Sequence, residues 1–220
     1  MSNLLFDPIK IQAKMTDEVL VGFSTGKDSI VTMDLCFKYF KKVVPFFLYI
    51  VPGLEFQEQT LRKYERHYHT EIIRLPHPDA SGFLRYGSFR PPDPNVEIIE
   101  INDVYHYLRL ETGIKWIAAG ERISDSIVRR AMIKNSGSTD EKRLRFFPLA
   151  YWKKKDVKSY IKKKKLYLPK DSWELGFSFK SLAGCELAKI KEIYPDDYRR
   201  ILRMYPFSGA AVRRFEKYGK

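Results

Sequence analysis

Short apolar runs alternate with segments of helical period over residues 18–150. Glu18–Phe23 is strand-sized, and Val43–Val51 is a continuous apolar run of the kind buried on both faces of a parallel sheet. Between them Asp28–Lys42 distributes Ile30, Val31, Met33, Leu35 and Phe37 around a helix. Pro52-Gly53 breaks the second run, and Glu55–His69 reads as the next helix. Glu71–Leu75, Lys115–Gly120 and Arg143–Tyr151 supply three more strands. The fourth strand is preceded by a helix to Glu111 with Asn102 as its N-cap. This alternation predicts the α/β class: a doubly wound, mostly parallel five-stranded sheet with right-handed crossovers.

Two stretches depart from the alternation. The proline-rich segment Pro76–Asn95 reads as a long surface loop, and polar Lys134–Lys142 as a mobile one. Beyond Tyr151 no further strand is expected. Asp156–Lys165, Ala183–Ile193 and Tyr198–Met204 are helical in pattern, and Asp196-Asp197 after Pro195 reads as a helix cap. The chain thus divides into an α/β domain, residues 1–152, and a basic helical C-terminal region, residues 153–220, packed on it.

Composition narrows the class. The 220 residues contain no apolar run long enough to cross a membrane and no secretory signal pattern, so a soluble cytoplasmic protein is expected. Two cysteines, Cys36 and Cys185, exclude a four-cysteine zinc or iron–sulfur site built from this chain alone. His67 and His69 splay at i, i+2, and His77 and His106 stand isolated, so no metal site is assigned. The net charge of +13 is unevenly placed: residues 153–165 and 189–220 together contribute +12 of it. Two readings of that charge stand side by side: a solvated helix face, with Tyr160 in the core beside Val157 and Ile161, or a surface for an anionic partner, nucleic acid in particular, with Tyr160, Tyr167, Trp173, Phe177 and Phe179 as candidate stacking rings.

The candidate chemistry centres on Ser24-Thr25-Gly26-Lys27-Asp28-Ser29, at the junction of the first strand and first helix. Small residues let backbone N–H groups approach an anion, the helix N-terminus adds positive potential, and Lys27 adds a mobile charge. The spacing is not that of a Walker A loop, because Gly22 and Gly26 are three residues apart and Asp28 follows Lys27. A second cluster, Gly120-Glu121-Arg122-Ile123-Ser124-Asp125-Ser126 with Arg129, follows the fourth strand. Its arginines suit bidentate contacts with phosphate or sulfate oxygens.

The first loop resembles the SGGKDS pyrophosphate loop of the N-type ATP pyrophosphatase, or adenine nucleotide alpha hydrolase-like, superfamily, with Thr25 in place of the first glycine. The second cluster resembles the G-x-R-x-x-E/D-S-x-x-R signature of the phosphoadenosine phosphosulfate (PAPS) reductase family. Val51–Gln59 is similar to that family's DTG-x-x-FPET segment through Gly53, Phe56 and Glu58. Phe147–Val157 is similar to its P-L-x-x-W-x-x-x-D-V segment.

The resemblance implies the HUP-type fold of that superfamily. It also implies an enzyme that binds ATP or PAPS, with Mg²⁺ carried by the nucleotide. The implied reaction splits ATP to AMP and pyrophosphate while adenylylating an acceptor. Lys27, Asp28 and Arg122 would be catalytic, and Ser24, Thr25, Gly26, Ser29, Gly53, Gly120, Ser126 and Arg129 would bind nucleotide. Asp28 would either cap the helix or approach the metal ion. Two alternatives stand beside this reading: sulfonucleotide binding or reduction with Cys185 as nucleophile, and a nucleic-acid-binding protein on a non-catalytic nucleotide fold. The family's tail cysteine has no counterpart after Cys185.

Overall fold

In the computed structural model, residues 3–169, 179 and 181–219 are described. The strands are β1 (Glu18–Gly22), β2 (Lys42–Tyr49), β3 (Ile73–Pro76), β4 (Ile117–Ala118), β5 (Thr139–Asp140) and β6 (Arg145–Phe146). They form one six-stranded sheet in the order β3-β2-β1-β4-β6-β5. Every pairing is parallel except β5 with β6.

β5 is the strand that the polar pattern hid: it lies in the segment expected to be a mobile loop. Asp140 ties the turn, its carboxylate accepting from the Arg143 backbone N–H at 3.1 Å and from its guanidinium at 2.9 Å. β6 is shorter than the apolar run that announced it. Pro148 has no N–H to give to a ladder, and Phe147, Leu149, Ala150 and Trp152 are buried in a turn instead.

The helices are α1 (Asp7–Met15), α2 (Lys27–Tyr39), α3 (Glu55–Tyr68), α4 (Pro78–Tyr86), α5 (Ile101–Thr112), α6 (Ile127–Ser136), α7 (Lys154–Lys164), α8 (Gly184–Ile193), α9 (Pro195–Met204) and α10 (Ser208–Tyr218). α4 occupies the proline-rich segment read as loop. There Pro78 stands in the first turn, where its missing N–H costs nothing, and the His77 ring accepts from the Asp79 N–H at 3.1 Å. α5 begins one residue before Asn102. Its entry is fixed by Asp103, whose carboxylate accepts from the Glu100 N–H at 2.7 Å, so Asn102 is not the cap.

Three apolar clusters position the site. On one face of the sheet, Val19 and Val21 pack with Ile30, Val31 and Leu35 of α2 and with Trp152, Val157 and Tyr160. α7 therefore shares the core of the α/β unit. Asp34 on α2 accepts from Tyr68 of α3 at 2.8 Å and from Tyr160 of α7 at 2.6 Å, so the two helices close over α2. On the other face, Leu20, Phe46 and Ile117 pack with Val104 and Leu108 of α5.

The third cluster joins Ile50, Val51, Leu54 and Phe56 to Phe179, Leu187, Ile190, Ile201, Tyr205 and Val212. Gly184 admits α10 here, because a Cβ would collide with the Ala211 carbonyl. Asp197 does cap a helix, but not its own: its carboxylate accepts from the N–H groups of Glu55 and Phe56 at the start of α3, at 2.8 and 3.0 Å. Among the described residues no helix is long and apolar enough to cross a membrane.

Candidate functional site

A parallel sheet directs its strand C-termini to one edge, and a crevice opens where the strand order reverses. Here that point lies between β1 and β4, because β2 and β3 extend to one side and β6 to the other. A cleft of about 390 Å³ opens there. Its floor is the ends of β1 (Gly22–Ser24), β2 (Phe46–Leu48) and β4 (Ala118–Glu121). Asp28 and Ser29 of α2, with Asp125 and Arg129, form one wall.

The loop Ser24–Ser29 is held from inside. The Ser29 hydroxyl accepts from the Ser24 N–H at 3.1 Å, lies 3.2 Å from the Ser24 hydroxyl and donates to the Gly26 carbonyl at 2.9 Å. Thr25 is buried and has a φ of 59°, the left-handed region that a β-branched residue rarely adopts. The backbone keeps the shape a glycine would take there, although the side chain is threonine. Gly26 is extended at the N-cap of α2, with no side chain capping the helix.

Asp28 does not cap α2. It pairs with the Lys27 ammonium on one side and lies 3.4 Å from Arg122 Nε on the other. Arg122 is 5% exposed, and its guanidinium also donates to Asp125 at 2.6 Å. Asp125 accepts from the Arg122 backbone N–H at 2.9 Å and sits 3.8 Å from the half-exposed Arg129 guanidinium. Lys27, Asp28, Arg122, Asp125 and Arg129 thus form one alternating chain of charges, of which Asp28, Asp125 and Arg129 line the cleft while Lys27 and Arg122 pair with them from outside its lining. Asp28 Oδ1 and Arg122 Nε and Nη1 are buried without a hydrogen bond among the described residues.

Of the other expected site residues, Ser126 caps α6, its hydroxyl accepting from the Arg129 N–H at 3.1 Å. Gly120 brings the end of β4 against α2, where a Cβ would lie 3.2–3.4 Å from Thr32 Oγ1, the Asp28 carbonyl carbon and the Ser29 nitrogen. Gly53 stands apart from the cleft lining, in the turn before α3, close to Arg200. Cys185 is exposed on α8 and does not line the cleft. Cys36 is buried in the α2 core, where desolvation pushes its thiol up. The thiol of the sulfonucleotide alternative is therefore outside the lining of this cleft.

The stacking rings are also redistributed. Tyr160 is buried at 3% exposure and hydrogen-bonded to Asp34, because its helix turns it into the core with Val157 and Ile161. Phe179 is buried against Phe56 and lines the cleft. Trp173 and Phe177 lie outside the described residues.

The far wall of the cleft was missed by sequence reasoning. Arg145 of β6 pairs with Glu121 at 2.9 Å and lies over the Tyr105 ring at 5.4 Å. Burial pushes the Tyr105 hydroxyl pKa up, partly offset by Arg145. His77 lines the same cleft. Glu121 stood inside the second motif and could have been taken from it, whereas Tyr105 and His77 carry no local signal. Among the described residues no three His, Cys, Asp or Glu side chains are grouped to hold a metal ion.

The phosphoadenosine phosphosulfate reductase domain model matches residues 18–170. An uncharacterized protein of Methanocaldococcus jannaschii is 27% identical over 217 residues. That match covers 87% of this chain and 43% of the relative, so the chain spans less than half of the curated relative's length. A U34-tRNA thiolase from Methanococcus maripaludis, solved with its 4Fe–4S cluster, is similar with a TM-score of 0.49 and 16% identity, over 92% of this chain and 78% of that one. The NH3-dependent NAD synthetase of Campylobacter jejuni has a TM-score of 0.48 and 14% identity, over 99% and 94% of the two chains.

Proposed function

Because this chain belongs to the phosphoadenosine phosphosulfate reductase domain family, we propose that its cleft binds ATP and splits it between the α- and β-phosphates, adenylylating an acceptor and releasing pyrophosphate. One observation carries the reading: the Ser24–Ser29 loop and the Arg122–Arg129 segment, almost a hundred residues apart, meet at one strand-order reversal as a single chain of charges. In phosphoryl and nucleotidyl chemistry the protein mainly places charge where it develops.

Backbone N–H groups at the start of α2 and the Lys27 ammonium face the leaving pyrophosphate. Lys27 is 29% exposed, so its ammonium can leave Asp28 for a phosphate oxygen without unburying a core. Arg122, buried and fixed by Asp125, sets the charge of the carboxylates that line the wall, and half-exposed Arg129 on the wall is free enough to follow the ligand. Mg²⁺ would arrive with the nucleotide, and Asp28, which lines the cleft beside the loop, is the carboxylate that would meet it once Lys27 turns to a phosphate. Sulfonucleotide reduction through Cys185 is not favoured, because that thiol lies off the cleft.

The test is ligand binding by thermal shift and calorimetry. ATP with Mg²⁺ raises the melting temperature, and Lys27→Ala removes a charged contact worth on the order of 1.5–3 kcal/mol, about a 10- to 150-fold loss of affinity. Unchanged ATP affinity in Lys27→Ala would overturn the assignment of the loop to phosphate.

A further inference from the structure

We propose that the joined outer faces of α3 and α7 form a docking surface for the phosphodiester backbone of a nucleic acid. This inference is independent of the nucleotide cleft. It rests on a convergence that the chain order conceals. The eight lysines of residues 153–165 are all exposed, while Val157, Tyr160 and Ile161 of the same segment turn into the core. α3 adds exposed Arg62, Lys63, Arg66 and His67. The two elements meet at Tyr167, beyond the C-terminal end of α7. The Tyr64 hydroxyl of α3 donates to the Tyr167 carbonyl just beyond α7, and Lys63 Nζ lies 3.4 Å from the Tyr167 ring centre.

The carboxylates that would neutralise such a face are engaged elsewhere. Glu58 and Glu65 of α3 both bind Arg74 on β3, and Asp156 accepts from the Lys153 backbone N–H at 2.8 Å; Glu55 neutralises Arg62 alone, leaving Lys63 and Arg66 as the α3 charges of the face. None of the eight lysines has a carboxylate within ion-pair distance among the described residues. Lys154, Lys158 and Lys162 repeat at i, i+4 and i+8, a like-charge stripe that weakens a helix rather than stabilising it. A counter-ion supplied by a partner removes that penalty. The charge of residues 189–220 differs, since Lys191 is paired with Glu216 and Arg199 with Asp196.

The chemistry of the partner follows from what the face lacks. No large aliphatic side chain is exposed on α3 or α7, so nothing is available to insert into a lipid surface. Tyr160 is buried, and one face of the Tyr167 ring is covered by Lys63, so base stacking is not the mode of contact. Repeated point charges along one helix suit evenly spaced phosphates, bound without sequence preference.

The experiment is fluorescence anisotropy of the full chain with labelled single-stranded DNA, duplex DNA and RNA hairpins, titrated between about 50 and 200 mM salt. The perturbed protein is the triple variant Lys154→Glu, Lys158→Glu, Lys162→Glu. The control is Lys134→Glu, Arg213→Glu, Arg214→Glu, which makes the same change in net charge on other elements. Binding is expected to fall steeply with salt. The triple variant should reduce the magnitude of the log–log slope by about 2–3 and weaken binding more than tenfold at low salt. Circular dichroism checks that both variants keep the parent's fold, and Lys158→Gln with Arg66→Gln supplies a milder pair if the reversals unfold α7. The proposal is overturned by no binding to any of the three probes at low salt. It is equally overturned by equal losses in the control.

Discussion

Asp197 is the most informative stability probe, because one carboxylate from α9 terminates a helix 142 residues earlier. The N-terminus of α3 has no cap of its own: Leu54 occupies that position and offers no side-chain acceptor. Asp197 is 4% exposed and takes both the Glu55 and Phe56 N–H groups, while Phe56 stacks on Tyr194 with ring centres 4.9 Å apart. Asp197→Ala leaves two N–H groups without their acceptor, one of them buried. Hydrogen bonds to a charged group contribute about 1.5–3 kcal/mol each, and the helix dipole adds about 0.3–1 kcal/mol. Desolvation of the carboxylate offsets part of that sum, so a net loss of about 3 kcal/mol is expected. For a chain of this size that corresponds to roughly 6–12 °C in melting temperature. Asp197→Asn keeps one acceptor oxygen and should lose about half as much.

The assay is urea unfolding followed by circular dichroism. Asp196→Asn serves as control, since Asp196 is 88% exposed and its partner is Arg199. If Asp197→Ala costs less than about 1 kcal/mol, or matches the Asp196 control, the carboxylate does not hold α3 and the reasoning is refuted.

Two further expectations concern groups away from the cleft. Hydrogen bonds from Arg74, and then from the Ile72 N–H, hold the Glu65 carboxyl below its ordinary value of 4.5 despite burial. Its contribution is complete above that ordinary value and is lost as pH falls through the depressed one. Glu65→Gln should therefore be less stable than the parent at neutral pH and converge with it in acid; a gap in urea midpoint that ignores pH would contradict this. Gln12 is wholly buried in α1, with both amide atoms lacking a hydrogen bond among the described residues. Gln12→Met, similar in shape, should stabilise by about 1–3 kcal/mol, and a lowered melting temperature would show that the amide is satisfied.

The local order of residues by itself determined the parallel α/β alternation, the β1–loop–α2 junction and the two charged motifs. Periodicity reports which residues leave water, and small residues before an apolar helix report a turn, without reference to distant chain. It does not report which core a face joins. The pattern left both stacking and burial open to Tyr160, and its contacts with Asp34 and Trp152 put it in the core. β5 exists only because β6 supplies its partner, and Asp140 and Arg143 tie the turn between them. α4 forms in a proline-rich segment because its prolines fall at or outside its ends and His77 caps it. The far wall of the cleft draws Tyr105, Glu121 and Arg145 from three elements, and the cap of α3 is borrowed from α9. Each of these is a contact between residues far apart in sequence. Such contacts form only once the sheet has closed the intervening chain, so no local pattern encodes them.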